Sequence, residues 1–329
     1  LTMIGHEVDG LESHGEQLDG VVVGEVLEVA KHPDADRLSV CQVSTGTGES
    51  LEVVCGAANV REGMKSPFAP VGTRRPNGVK LRKAKIRGVV SNGMLCSAIE
   101  LALGDESDGI VELPGDAPTG APLAAYLNLP DVSIDLDLTP NRGDCFSVLG
   151  VARDVAAMSS APMKEAVVES VTATIADEHP VELIDPSGCP RFAARVVRNI
   201  DMSASSPVWM QERLRRSGLR PIHPVVDVTN YVMMELGQPL HAYDLARLNG
   251  AIRPRMAKDG ETLKLLDESE VKLRTDTLLI TDDSGPIGMA GIMGGRSTMV
   301  TDDTVDVFFE AAFFPPAVMA GVARRYGMH

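Results

Sequence analysis

Residues 230–244 read NYVMMELGQPLHAYD, an apolar stretch at helical pace that Gly237 and Pro239 halt before a lone histidine, His241, beside Tyr243 and Asp244. Imidazole titrates near neutrality, so it can orient or activate water, bind a metal, or hold a hydrogen bond inside a core. A metal needs several convergent ligands and only Asp244 is near in sequence, which leaves a hydrogen-bonded structural histidine and a substrate-facing one as the main readings. The second group able to do chemistry is Glu310, which ends the apolar run VDVFF and precedes AAFF. On a strand it is a carboxylate in apolar surroundings, a group rarely kept without a partner. It reads as a strand-end acid paired with an arginine or a backbone amide, or as a buried hydrogen-bond acceptor.

Other residues could complete a site. Thr229 and Asn230 sit on the helix just before the break, either facing a pocket or bonded locally along their own helix. Arg220, in GLRPIHP, is a guanidinium between two helices, able to meet a phosphate or carboxylate or to remain a solvated charge. AGIMGGRST carries Gly291, Gly294 and Gly295 but has neither the GxxxxGK[ST] nor the GxGxxG spacing of a nucleotide-phosphate loop, so a tight turn is its simplest meaning. Ala290, Gly291 and Gly294 would also leave room for a ligand beside Glu310. No GxSxG elbow or catalytic-cysteine signature is present.

The net charge of −15 opposes long-range attraction to a polyanion. A local reversal interrupts it: between Arg61 and Arg87 nine basic residues face one acid, Glu62. Within this stretch Arg74, Arg75, Lys80, Arg82, Lys83, Lys85 and Arg87 fall on a loop and a strand edge, as a solvated charge run or a contact for nucleic-acid phosphates. One Trp in the whole chain and no aromatic series beside the patch imply weak, salt-sensitive contact. Five dispersed cysteines read as reduced and structural. HPDAD (32–36) reads as a turn in preference to a metal site, and NRGD as the lead into a helix with Asp144 near its start. No metal is expected. No apolar run reaches the roughly 18 residues that span a bilayer, and a cytoplasmic location without membrane contact follows as the expectation.

Positioning these groups requires several elements. From about residue 19 to 124, VVVGEVLEVA, LSVCQV, LEVVC and GIVELP read as short strands between Gly- and Pro-rich turns, an OB-like barrel. Residues 1–18 and 125–187 would form a small discontinuous α+β domain around it, with a helix in SVLGVARDVAAM and a strand in VESVTATI. Residues 188–329 mix both periodicities. SSPVWMQERLRRSG and PVVDVTNYVMMELG read as helices, TLKLL, TLLITD and VDVFFEA as strands, and a last helix opens at Pro316. The fold class is α+β, multidomain.

VVVGEVLEVAKHPDADRLSVCQV, KAKIRGVVSNGMLCS, DLTPNRGDC, VVDVTNYVMMELGQPLHAYDLARL, AGIMGG and FFEAAFFPP, in this order, resemble the N-terminal part of the bacterial phenylalanyl-tRNA synthetase β-subunit family across essentially the whole chain. The resemblance implies an OB-type tRNA-binding domain and an α+β editing domain that hydrolyses tyrosine mischarged on tRNA(Phe). Aminoacylation, with its ATP and Mg2+, would belong to the α subunit, the partner in a heterotetramer, and this chain itself would need no cofactor. By the same resemblance Glu310 contacts the tyrosine hydroxyl with help from the backbone at Gly291. His241 lies near the terminal adenosine and the ester, Thr229 and Asn230 line the pocket, and Arg220 faces the tRNA end. Family members follow RRxGxH with Thr-Asp-Ala-Ser, whereas this chain opens at Leu1 and stops at His329. It therefore reads as a fragment with reduced or no hydrolysis of its own, and the alternative is a noncatalytic module for tRNA binding and subunit assembly.

Overall fold

The computed structural model describes residues 1–329 except 16–17, 77, 105–108, 165–167 and 329. Two compact units emerge, one of Glu7–Asp137 and one of Leu1–His6 with Leu138–His329.

In the first unit, β1 (Glu7–His14) pairs antiparallel with β9 (Asp131–Asp137). Between them lie β2 (Val22–Lys31), β3 (Ser39–Ser44), β4 (Leu51–Cys55), β5 (Lys65–Pro70), β6 (Ala84–Ile86), β7 (Val89–Ser91), β8 (Gly93–Leu95) and a short helix, α1 (Leu123–Tyr126). Alternating valines and cysteines on β2 to β4 put every second side chain inward. The five-stranded order is β4-β3-β2-β5-β8. Its two ends meet: Asn92 N–H donates to the Glu52 carbonyl at 2.9 Å, and Val54 N–H donates to Ser91 Oγ at 3.1 Å. The result is a nearly closed barrel, and the irregularity between Val26 and Glu28 lets β2 bend around it. Phe68 fills the centre with Val26, Val43 and Val53, all fully buried. A Cβ at Gly93 would overlap the Phe68 ring, so only glycine allows that strand so close.

GIVELP is not the strand its composition suggests. The Asn59 side chain takes both backbone groups of Ile110, and only an isolated bridge, Lys65 to Leu113, is left. One side-chain amide has replaced a ladder.

The second unit contains α2 (Val148–Ser159), β10 (Arg191–Val197), α3 (Val208–Arg216), α4 (Pro224–Leu236), β11 (His241–Asp244), β12 (Arg253–Met256), β13 (Thr262–Lys264), β14 (Glu270–Lys272), β15 (Leu278–Asp282), β16 (Gly285–Met289), β17 (Met293–Gly294), β18 (Val307–Phe313), α5 (Pro316–Met319) and α6 (Val322–Arg325). Its sheets run β10-β18-β11 and β12-β15-β16-β17, with β13-β14 as a separate ribbon. Tyr243, Ile252, Leu278, Ile280, Ile287, Ala290 and Phe308 make one shared core.

VESVTATI forms no strand. Val168 and Val171 are 78% and 70% exposed, so the alternation has no buried face to reward it. Asp144 lies in the short turn just before α2, as the reading of NRGD has it. It pairs with Arg142, and Ser147 accepts from Gly150 N–H at 2.9 Å as the cap. Among the described residues no helix is long and apolar enough to cross a membrane.

Candidate active site on the central sheet of the second unit

Proline at the first position of α4 and Gly237 just past its end, with φ of 77°, fix where the helix starts and stops. The chain reverses and re-enters as β11. There His241 is paired directly with Glu310 of β18, and Tyr243 with Phe308. Residues two apart on a strand share a face, so His241, Tyr243, Phe308 and Glu310 lie together on one side of the sheet.

Glu310 is 6% exposed. Among the described residues it is paired with neither an arginine nor a backbone amide; the Tyr243 hydroxyl donates to its Oε2 at 2.5 Å. Burial pushes the carboxyl up to about 7, with the Tyr243 hydrogen bond pulling the other way. Burial and then the neighbouring Glu310 charge push the Tyr243 phenol well above its ordinary range. His241 stands edge-on to Tyr243, ring centres 4.5 Å apart. Its Nε2 is buried and has no protein partner among the described residues. Burial drives its pKa down to about 4, so the ring is neutral at pH 7.

The glycine segment reaches His241 at Gly294. Ala290 is buried and Gly291 occupies the turn between β16 and β17 with φ of 63°, as the tight-turn reading anticipates. Gly294 is the closest: a Cβ there would stand 2.6 Å from His241 Nε2. Its missing side chain is what makes room for the imidazole.

The helix residues divide. Thr229 is buried and its hydroxyl donates back to the Val226 carbonyl at 2.7 Å, the local bond that the sequence left open. Asn230 is half-buried, and Arg220 is exposed with no salt bridge among the described residues. Sequence reasoning overlooked Asp227, fully buried on α4, which accepts from Ser206 Oγ at 2.5 Å and from Ile222 N–H at 2.8 Å and so anchors the α3–α4 loop. It also gave Tyr243 no role. The only signal was its period-two spacing from His241.

In the first unit, residues 72–76 and 78–81 form the arms of a hairpin joined by Gly72 N–H to Leu81 O and Leu81 N–H to Thr73 O, and β6 pairs with β7 beyond it. Arg74, Lys80, Arg82, Lys83, Lys85 and Arg87 are exposed and Arg75 is half-buried. Among the described residues the one salt bridge from positions 61–87 is Arg61–Glu112. His32 spends both ring nitrogens on the protein, one facing the Ile86 carbonyl and one accepting from Asp34 N–H, which makes HPDAD a turn.

His6, Cys145 and Asp154 of the second unit do converge with metal-ligand geometry. The Arg142 guanidinium donates into both Cys145 Sγ, at 2.8 Å, and Asp154, so a cation already occupies that junction. All five cysteines are free and buried; burial pushes Cys41 and Cys96 up to about 12, which makes them unreactive thiols.

Residues 188–329 match the family model described as "B3/4 domain", and residues 21–122 the one described as "Putative tRNA binding domain". The phenylalanine–tRNA ligase β subunit of Pseudomonas fluorescens is 54% identical over 329 residues, which is 100% of this chain and 41% of that protein. Those of Pectobacterium atrosepticum and Haemophilus influenzae are each 50% identical, again over 100% of this chain and 41% of theirs. Along its whole length the chain is similar to phenylalanine–tRNA ligase β subunits. It spans well under half the length of these relatives. The nearly closed barrel coincides with the matched tRNA-binding region, and the Glu310–His241 pair falls inside the matched B3/4 region.

Proposed function

We propose that the second unit hydrolyses tyrosine from mischarged tRNA(Phe), within a β subunit that binds tRNA and works beside an α subunit carrying out ATP- and Mg2+-dependent aminoacylation. A pocket made for phenylalanine rejects an isostere with one added hydroxyl by only about a hundredfold, so a second site selective for that hydroxyl is needed. Such a site requires a buried acceptor, because phenylalanine would then leave it unpaired.

The observation that carries this reading is the pairing of buried Glu310 with a phenol, that of Tyr243. The surroundings already favour a phenol–carboxylate bond. A carboxylate offers two oxygens and about four lone-pair directions, so a substrate phenol can donate to the same group alongside Tyr243. His241 lies directly across, neutral at pH 7, with Nε2 available to a ligand or a water. A base with a pKa of about 4 abstracts protons poorly at neutrality. Its role is to orient water or the terminal ribose, and hydrolysis proceeds by attack of that water on the ester carbonyl. Ala290 and Gly291 add no bulky side chain of their own, Gly294 gives its side-chain space to the His241 imidazole, Thr229 and Asn230 line the pocket, and Arg220 faces the tRNA end. The exposed cations at 74–87 hold backbone phosphates.

Alanine at Glu310 or His241, in the assembled enzyme, should each slow hydrolysis of tyrosyl-tRNA(Phe) at least tenfold, with phenylalanine charging unchanged. Unaltered hydrolysis in both variants would refute the assignment.

A further inference from the structure

Trp209 is the only tryptophan in the chain. It stands on α3 and is 45% exposed, although Tyr231 of α4 meets it edge-on at 5.2 Å and the Arg213 guanidinium lies 5.5 Å from its ring centre. Arg213 also lies 5.9 Å from the Tyr231 ring and donates to its hydroxyl. Its guanidinium meets no carboxylate directly among the described residues. Glu212 is engaged by Arg215 and Arg216, Glu235 meets the Tyr231 hydroxyl, and Arg213 forms no salt bridge among the described residues. An indole held by two neighbours, half open to solvent and beside a guanidinium, has the two parts that single-stranded nucleic acid uses: a π-face for a base and a cation for its phosphate.

We infer that Trp209, Arg213 and Tyr231 form a stacking platform for one unpaired base of a bound RNA. This rests on the reading that the chain handles tRNA, and adds a contact site to it. Tyr231 follows Thr229 by two residues, roughly 200° around α4. The platform therefore faces away from Thr229, and the base it takes is not the one bearing the ester. The cationic hairpin supplies charge, whereas this cluster supplies the aromatic plane.

The test uses the full chain, whose sole Trp reports directly, titrated with a fluorescein-labelled oligoadenylate. Saturable quenching of Trp209 emission is expected, in step with the label's anisotropy, and none from heparin at matched charge. Trp209→Ala should weaken RNA binding about five- to a hundredfold, the range for losing one base–aromatic stack, and Trp209→Phe should keep most of the affinity. RNA binding with unchanged Trp emission, or equal quenching by heparin, overturns the platform. Emission that responds to the α subunit but not to RNA overturns it too, by making the surface a protein contact. Quenching preserved while the assembled enzyme hydrolyses no tyrosyl-tRNA(Phe) would sink the editing reading alone; hydrolysis by the assembled enzyme without quenching would sink the platform alone.

Discussion

Two titratable side chains on adjacent strands, Glu310 buried and His241 half-buried with its Nε2 sealed from solvent, are shifted in opposite directions, and their effects on stability have opposite signs. The folded-state pKa of Glu310 is raised from 4.5 to about 7, so its contribution is full below pH 4.5 and is lost as pH rises towards 7. His241 is lowered from 6.5 to about 4, so stability is lost as pH falls from 6.5 towards 4. Between about pH 4.5 and 6.5 the two slopes oppose each other. Urea denaturation across that window should show Glu310→Gln gaining stability relative to the parent as pH rises, and His241→Gln losing it, by a few kcal/mol in each case. Parallel pH profiles for parent and variants would mean that neither group is buried as described. At this scale the sequence pointed to Glu310 and His241 as candidates but not to what they touch. Glu310 was recognisable from its apolar flanks, yet a phenol partner 67 positions away in sequence has no local signature.

The helix–turn–strand that delivers His241 was legible because glycine and proline mark backbone geometry directly, and Gly237 ends α4 as read. VESVTATI and GIVELP misled for one shared reason. Strand propensity is realised only where a partner edge or a buried face exists, and tertiary context decides that. The approach of β17 to β11 is likewise invisible in sequence and sets a sharp expectation. Gly294→Ala puts a methyl against His241 Nε2, whereas at Gly288 on β16 an added Cβ meets nothing nearer than 3.7 Å. Tyrosyl-tRNA hydrolysis should fall at least tenfold in Gly294→Ala and stay within about twofold in Gly288→Ala, with both proteins folded by circular dichroism. Equal effects would show that the imidazole tolerates displacement.

Across the whole molecule, a net charge of −15 coexists with a hairpin whose cations lack acidic partners among the described residues. Long-range repulsion and short-range attraction should make tRNA binding weak and steep in salt. Each of Arg82, Lys83 and Lys85 that holds a phosphate should, when replaced by alanine, lower the slope of log affinity against log salt by about 1 without changing base preference. A slope unchanged in the triple variant would move the RNA path off this face. The barrel could be read from alternating strands, but its closure depends on side-chain and backbone bonds from Ser91 and Asn92 to β4, which no periodicity encodes.

The most direct measurement is the ratio of hydrolysis rates for tyrosyl-tRNA(Phe) and phenylalanyl-tRNA(Phe), in the assembled enzyme, with Glu310 intact and with Glu310→Ala. If the buried carboxylate selects the phenol, the parent should prefer the tyrosyl ester strongly and the variant should lose at least tenfold of that preference, chiefly through the tyrosyl rate. An identical ratio in the two proteins would contradict the account.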